Sequence, residues 1–262
     1  MDLGIRGKKA IVNGGSAGLG LGSARALARE GADLVISARG EERLVRVCKE
    51  LAEETGARVT AVVADHSTNE GRAAILAECP EPDILVGTCS PPAVTGDYSM
   101  IDPDDWYSTL AVTLISPVEF MRATIDGMAE RGWGRIVNIG TVAAKHPTEV
   151  RLMSGAPRAA LVNYTAAVAR KVARKGVIIN NLLPGMYHTA TIYDRYSKIA
   201  EEQGISYEEA VKNHAKRMRI PTGDFGNIDD FGAFSALLCS EFANYTVGQS
   251  FVMDGGVTNS MF

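Results

Sequence analysis

Between residues 8 and 31 the chain reads KKAIVNGGSAGLGLGSARALAREG, and no other stretch so narrows the folds open to it. Residues 10–12 are a short apolar run of strand character, and Ala24, Leu27 and Ala28 recur at helical spacing to give one apolar face. Between the two lies a glycine-rich turn. Glycine suits a tight turn, a close approach of backbone to a pyrophosphate and a close helix–strand contact, and phosphates then rest on the free N–H groups that open the following helix. Gly14, Gly18 and Gly20, with Ser16 and Leu19 among them, are therefore the candidate phosphate-binding positions. Their spacing, G-x-x-x-G-x-G, departs from the common G-x-G-x-x-G fingerprint, but the mechanics are the same.

Downstream, strand-like runs alternate with helical patterns. Residues 34–38, 58–64, 83–86, 135–139 and 177–183 read as strands. Residues 41–55 (stopped by Gly56), 70–79, 104–131 (kinked at Pro117) and 159–175 read as helices. Such alternation implies a parallel sheet covered on both faces: an α/β, Rossmann-like, doubly wound, three-layer α/β/α fold. No linker or low-complexity tract interrupts it, so residues 1–262 are expected to form a single domain. A net charge of −4 argues against a nucleic-acid partner. No run approaches the roughly 20 apolar residues that span a bilayer, so a membrane location is not expected. Cys48, Cys79, Cys89 and Cys239 show neither disulfide nor zinc spacing, and no histidine pair has metal spacing. No metal is expected, and a reducing cytoplasm fits.

Taken together, NGGSAGLG, the DILV strand, RIVNIGT, INNLLPG and the terminal VGQSFVMDGG resemble the short-chain dehydrogenase/reductase family over essentially the whole chain. The resemblance implies a nicotinamide dinucleotide across the carboxyl ends of the strands and a small carbonyl or alcohol substrate. It also implies a homo-oligomer, dimer or tetramer, built on the helices at 105–130 and 159–175 and the terminal strand. Dinucleotide-binding members that prefer NAD place an acid at the end of the second strand to accept the ribose 2′-OH. Here that position is Ala38, followed by Arg39, which favours NADP(H) unless Arg39 is only a solvated loop charge. By resemblance Asp65 and His66 contact the adenine, although an aspartate at a strand end also makes turns. Pro184, Gly185 and Thr189 match the PG-x-x-x-T turn at the nicotinamide.

The departures from the family pattern are as informative. Gly87, Thr88, Cys89, Ser90 and Pro91-Pro92 replace N-N-A-G; Thr113 stands in register with the helix asparagine, and Thr141 with the catalytic serine. Counting back from Pro184, the Y-x-x-x-K pair falls on Ser154 and Arg158, and the chain contains no Y-x-x-x-K at all. Tyrosine serves as an acid because its pKa near 10 is lowered by a neighbouring ammonium; serine is a far weaker acid, and arginine cannot give up its proton. Ser154 and Arg158, four residues apart on one helix face, can still act together with Thr141 at the reacting centre, with Ser154 relaying a proton and Arg158 holding ribose or an oxyanion. The competing readings are a helix cap for Ser154 and a surface charge for Arg158. Tyr187, His188 and His146 are alternative donors or ordinary loop side chains, and Tyr164, roughly 15 Å along the helix from Ser154, is a poor one.

Residues 187–225 occupy the place of the family's variable substrate lid and read as two helices broken at Gly204, with no evident charge signature. The expected function is an NADP(H)-dependent oxidoreductase with non-standard catalytic residues. The alternatives are a nucleotide-binding sensor or subunit whose redox chemistry is lost or altered, and reduction of a C=C bond.

Overall fold

The computed structural model describes residues 1–88 and 96–259. Among them, strands β1 (Lys9–Asn13), β2 (Asp33–Ala38), β3 (Val59–Val63), β4 (Ile84–Gly87), β5 (Gly134–Ile139), β6 (Val177–Pro184) and β7 (Ser250–Met253) form a seven-stranded sheet. Every pairing is parallel, in the order β3-β2-β1-β4-β5-β6-β7. Alternate side chains of each strand feed opposite cores. Ala10 and Val12 pack with Leu27, Ile36, Leu44 and Phe231, whereas Ile11 packs with Val35, Leu85, Phe120 and Ile136. Two-sided burial is what a parallel sheet requires.

Helices α1 (Gly18–Arg29), α2 (Glu41–Thr55) and α9 (Ile228–Leu238) feed the first core, and α5 (Ser116–Glu130) and α6 (Leu152–Val172) the second. The remaining helices are α3 (Asn69–Glu78), α4 (Pro103–Leu110), α7 (Ala190–Gln203) and α8 (Tyr207–Arg217). From β3 at the sheet edge the chain returns to β4 beside β1. That reversal leaves a crevice at the carboxyl ends of β1 and β4, where Asn13 pairs with Gly87.

Three features differ from the sequence expectation. First, residues 104–131 are not one helix kinked at Pro117: α4 and α5 are joined by a π-helical turn, Ala111–Ile115, with the Ser116 N–H reaching back to the Ala111 carbonyl. The wider turn accommodates a proline ring that would otherwise crowd the preceding carbonyls. Second, α6 starts at Leu152 rather than 159 and carries Pro157 inside it. Proline costs this helix one hydrogen bond without ending it, because Met153, Ser154, Gly155 and Arg158 are all buried. A Cβ at Gly155 would lie 2.7 Å from the Ala143 carbonyl, so the first turns of α6 pack tightly on the turn that follows β5. Third, α9 was not expected. Its sequence, IDDFGAFSALL, is apolar on most sides, yet Asn227 caps it by accepting from the Asp229 N–H at 2.7 Å, and Asp229 and Asp230 occupy its first turn. It meets α1 at Gly22 and Gly232, where any side chain would strike backbone carbonyls.

Helices α7 and α8 join at Gly204, in the left-handed region at φ 65°, and share a separate small core of Tyr196, Ala200, Ala210, Val211, Ala215 and Phe225. No described helix is long and apolar enough to cross a membrane.

Candidate active site

The cofactor end of the crevice is built from backbone. Gly14, at φ 68°, turns the chain out of β1, and its N–H donates to the Ser37 carbonyl at 2.9 Å. A side chain at Gly20 would strike the Gly14 carbonyl and come within 2.7 Å of the Thr88 Cγ2, so the start of α1 packs directly on the turn. Ala17 precedes α1 in an extended conformation with no side-chain cap. The first N–H groups of the helix, those of Gly18 and Leu19 among them, therefore receive no side-chain cap from Ala17, and a helix start of this kind can accept an anion. Ser16 lies half-buried in the same turn. Thr189, which caps α7 through its hydroxyl, has its methyl 3.4 Å from where a Gly18 side chain would begin. The PG-x-x-x-T turn and the glycine loop therefore face each other. Pro184 ends β6, and a Cβ at Gly185 would lie 2.7 Å from that of Asp254.

At the far side, exposed Arg39 follows β2 while Asp65 and His66 follow β3, in strands paired through Ala38 and Val63. The Asp65 carboxylate accepts from the hydroxyl (2.7 Å) and the N–H (2.9 Å) of Ser67. The Ser67 bonds hold its carboxyl below the usual range, and the Arg39 charge adds to the effect. His66 turns inward, its Nδ1 2.7 Å from the Ser116 hydroxyl. Burial lowers its pKa from 6.5, Arg39 and Arg72 act in the same sense, and Asp65 opposes them.

The part of the crevice expected to hold the reacting centre is built from side chains. Ser154 and Arg158, only 5% and 4% exposed, lie on one face of α6, and the Arg158 guanidinium donates to the Ser154 hydroxyl at 3.1 Å and to its carbonyl at 3.2 Å. Ser154 lies inside the helix rather than at its cap, and Arg158 is no surface charge. The Arg158 stem passes 3.9 Å from a Cβ built on Gly140, next to Thr141, whose hydroxyl accepts from the Ala143 N–H and keeps its own O–H as a donor. Arg158, Thr113, Ser116, His66, Asn13, Gly87 and Thr88 share the walls of a cavity of about 20 Å³. Thr113, in register with the family asparagine, donates its hydroxyl to the Thr109 carbonyl at 2.7 Å within the π turn. Cys89, Ser90, Pro91 and Pro92 lie outside the described residues.

The alternative donors fare poorly. Tyr187, in the connection between β6 and α7, is not a partly exposed side chain: it is 7% exposed, donates to the Met253 carbonyl and stacks edge-on with Phe231. Burial pushes its pKa up to about 12, opposite to the need of an acid. His188 bridges the Tyr207 hydroxyl at 2.8 Å and Asp224 at 3.2 Å, which ties it to the α7–α8 layer. His146 is half-buried, and Tyr164 packs against the second core. Among the described residues no His, Cys, Asp and Glu side chains group so as to hold a metal ion.

Two residues beside the site escaped the sequence reading. Arg151 lies three residues before Ser154 at the head of α6, and Arg195 lies on α7. The charges of Arg195 and Arg158 act on Arg151, whose burial is the larger cause of its lowered pKa. The spacing 151, 154, 158 along one helical face was the signal available in the sequence.

Residues 14–258 match the family described as Enoyl-(Acyl carrier protein) reductase. D-beta-hydroxybutyrate dehydrogenase of Cupriavidus necator is 28% identical over 260 residues, spanning 96% of this chain and 98% of that protein. The structure of L-sorbose reductase from Gluconobacter frateurii, complexed with NADPH and L-sorbose, superposes with a TM-score of 0.94 at 28% identity, each chain covered in full (100%). An NADPH-bound short chain oxidoreductase from Pseudomonas aeruginosa, described as containing an atypical catalytic center, superposes at 0.87 with 26% identity and 97% of each chain covered. On sequence and fold alike, the chain belongs to the short-chain dehydrogenase/reductase family.

Proposed function

We propose that this protein is an NADP(H)-dependent oxidoreductase that interconverts a carbonyl and an alcohol, with Ser154 and Arg158 in place of the usual tyrosine and lysine. The observation that carries the reading is the buried hydrogen bond from Arg158 to the Ser154 hydroxyl, with Arg158 in the wall of a cavity that also takes in Asn13 and Thr88.

The residues present fit the dinucleotide, since the glycine contacts leave no room for side chains where backbone must meet phosphate, and α1 opens with uncapped N–H groups. Gly14, Ser16, Gly18, Leu19 and Gly20 would hold the pyrophosphate, Arg39 the 2′-phosphate, Asp65 and His66 the adenine, and Pro184, Gly185 and Thr189 the nicotinamide. When bound, NADPH supplies the hydride that the carbonyl carbon accepts. The carbonyl oxygen then becomes an alkoxide and must gain one proton. Arg158 stabilises that negative charge, and its pull on the Ser154 oxygen makes the serine O–H a better donor than an isolated hydroxyl. Thr141 offers a second O–H to the same oxygen. Ser154 recovers its proton from solvent. Each alcohol formed consumes one NADPH and one proton.

Residues 187–225 serve in this reading as a lid over a single dinucleotide-binding domain, and the protein works as a homo-oligomer. A second reading, reduction of a C=C bond with solvent as proton source, draws support from the enoyl reductase description of the matched family. NADPH oxidation assayed against ketones, aldehydes, quinones and enones decides between the two. Arg158→Ala is expected to weaken NADPH binding and slow turnover together. Parent-like behaviour of both Arg158→Ala and Ser154→Ala would remove these residues from the mechanism, and an inactive parent that still binds NADPH would favour a non-catalytic nucleotide-binding role.

A further inference from the structure

One level of the sheet, taken across the strands, is polar. Ser37 pairs with Asn13, Asn13 with Gly87, Gly87 with Asn138, Asn138 with Asn181 and Asn181 with Ser250, a single row over β2, β1, β4, β5, β6 and β7. In-register neighbours of a parallel sheet point to the same face. Here that face carries α5 and α6, since the Asn138 amide donates to the Thr165 hydroxyl of α6 at 3.2 Å. Side chains bond along both flanks of the row. The Ser37 hydroxyl donates to Asn13 Oδ1 at 2.8 Å; beyond the centre, Asn138 Nδ2 donates to Asn181 Oδ1 at 3.4 Å and Asn181 Nδ2 to the Ser250 hydroxyl at 3.1 Å. The row is interrupted at Gly87, where the family pattern has an asparagine.

The interruption leaves polar groups to account for. Asn13 and Asn138 are each only 2% exposed. Asn138 Oδ1 is buried and accepts from no described residue, while the Nδ2 of the same amide is committed to Thr165 and Asn181. A Cβ built on Gly87 would lie 3.4 Å from this oxygen, so the oxygen faces the space that a side chain there would fill. On the other flank Asn13 uses its Oδ1 for Ser37, which leaves its Nδ2 to donate elsewhere. Asn13 and Gly87 line the same cavity of about 20 Å³. That volume holds one water, and a buried acceptor without a donor is costly enough to recruit one. We propose that Gly87 creates a binding site for a single buried water, which donates to Asn138 Oδ1, accepts from Asn13 Nδ2 and so completes the row. The water ties β1 to β5 across β4, at the level where the glycine turn leaves β1 and just before Thr141 follows β5. It is thus a positioning element at the floor of the crevice, and it holds whatever reaction the crevice carries out.

The test compares melting temperatures of the parent with Gly87→Ala and Gly87→Ser. Both variants add the same Cβ, at a position outside the left-handed region and in ordinary contact with its neighbour. Replacing a strand glycine by alanine ordinarily stabilises. Here the methyl takes the water's place and supplies no donor, so Gly87→Ala should melt about 3 °C or more below the parent, the shift for one unmet buried acceptor in a chain of this length. Gly87→Ser puts a hydroxyl within reach of Asn138 Oδ1 and should recover most of the loss. In an Asn138→Ala background, where the acceptor is gone, serine should keep no advantage over alanine. A high-resolution crystal structure of the parent should show one water at about 2.7–3.2 Å from both amides. Alanine melting at or above the parent overturns the proposal, since a dry gap would welcome the methyl. Serine no better than alanine, serine's advantage persisting without Asn138, or no solvent peak between the two amides overturns it equally. The crystal structure and the first pair of variants decide the matter even where Asn138→Ala does not fold.

Discussion

The two ends of the crevice are made in different ways. At the glycine loop the contacts that matter are main-chain: Gly14 leaves the right-handed region, Gly20 abuts the Gly14 carbonyl, and α1 begins without a cap. At the head of α6 the contacts are side-chain, Arg158 to Ser154 and Thr141 to the turn beyond it. Backbone devices tolerate almost no substitution, because a Cβ either fits or strikes a carbonyl. Side-chain devices can be exchanged while the helix that carries them stays in place. On the proposed reading, that contrast accounts for a chain that keeps the family's nucleotide loop and carries Ser154 and Arg158 in place of its tyrosine and lysine.

The largest effect should follow from breaking the backbone end. Gly20→Val drives its branched side chain into the Gly14 carbonyl and the Thr88 methyl. Overpacking of this kind costs about 1–3 kcal/mol of stability, and the displaced loop should lose NADPH affinity by more than about 100-fold, equivalent to about 2.8 kcal/mol. Fluorescence titration with NADPH, alongside a melting curve, measures both. Ser154→Ala should do the opposite, leaving the NADPH Kd and the melting temperature nearly unchanged while lowering kcat by about 10²- to 10⁴-fold, the range for a lost proton-transfer group. An alanine at 154 that abolishes nucleotide binding would collapse the distinction between the two ends.

The same division governs what could be read in advance. Strand positions and the helix pair around Gly204 followed from apolar periodicity and glycine stops, which report backbone geometry directly. The head of α6 did not, because Pro157 reads as a boundary in isolation, and only tertiary burial of its neighbours carries the helix through it. Tyr187 read as either a donor or an ordinary loop side chain, and its hydroxyl donates to the Met253 carbonyl.

A smaller effect tests whether the cofactor end also uses side chains for selectivity. Arg39→Ala should weaken NADPH by about 1.5–3 kcal/mol, one charge-assisted phosphate contact, and leave NADH unchanged. Equal losses for both nucleotides would mean that Arg39 acts through the β2 terminus or through Asp65 rather than on a 2′-phosphate.

The smallest effect concerns two histidines, His66 in the wall of the Arg158 cavity and His214 on α8, whose charged forms the fold disfavours. Burial is the leading cause for both, reinforced by Arg39 and Arg72 at His66 and by Arg217 and Arg195 at His214. For each, the folded pKa lies below the ordinary 6.5, so the unfolded chain takes up the proton first. The stability they contribute is therefore present above pH 6.5 and declines as pH falls below it toward the folded values. Melting temperatures recorded from pH 7.5 to 5 should drop for the parent and drop less for His66→Gln, whose amide can still pair with the Ser116 hydroxyl. His214→Gln should flatten the curve by less, because its ring lies nearer solvent, where burial opposes its charge less strongly. Equal flattening by the two variants would mean that burial is not what separates them.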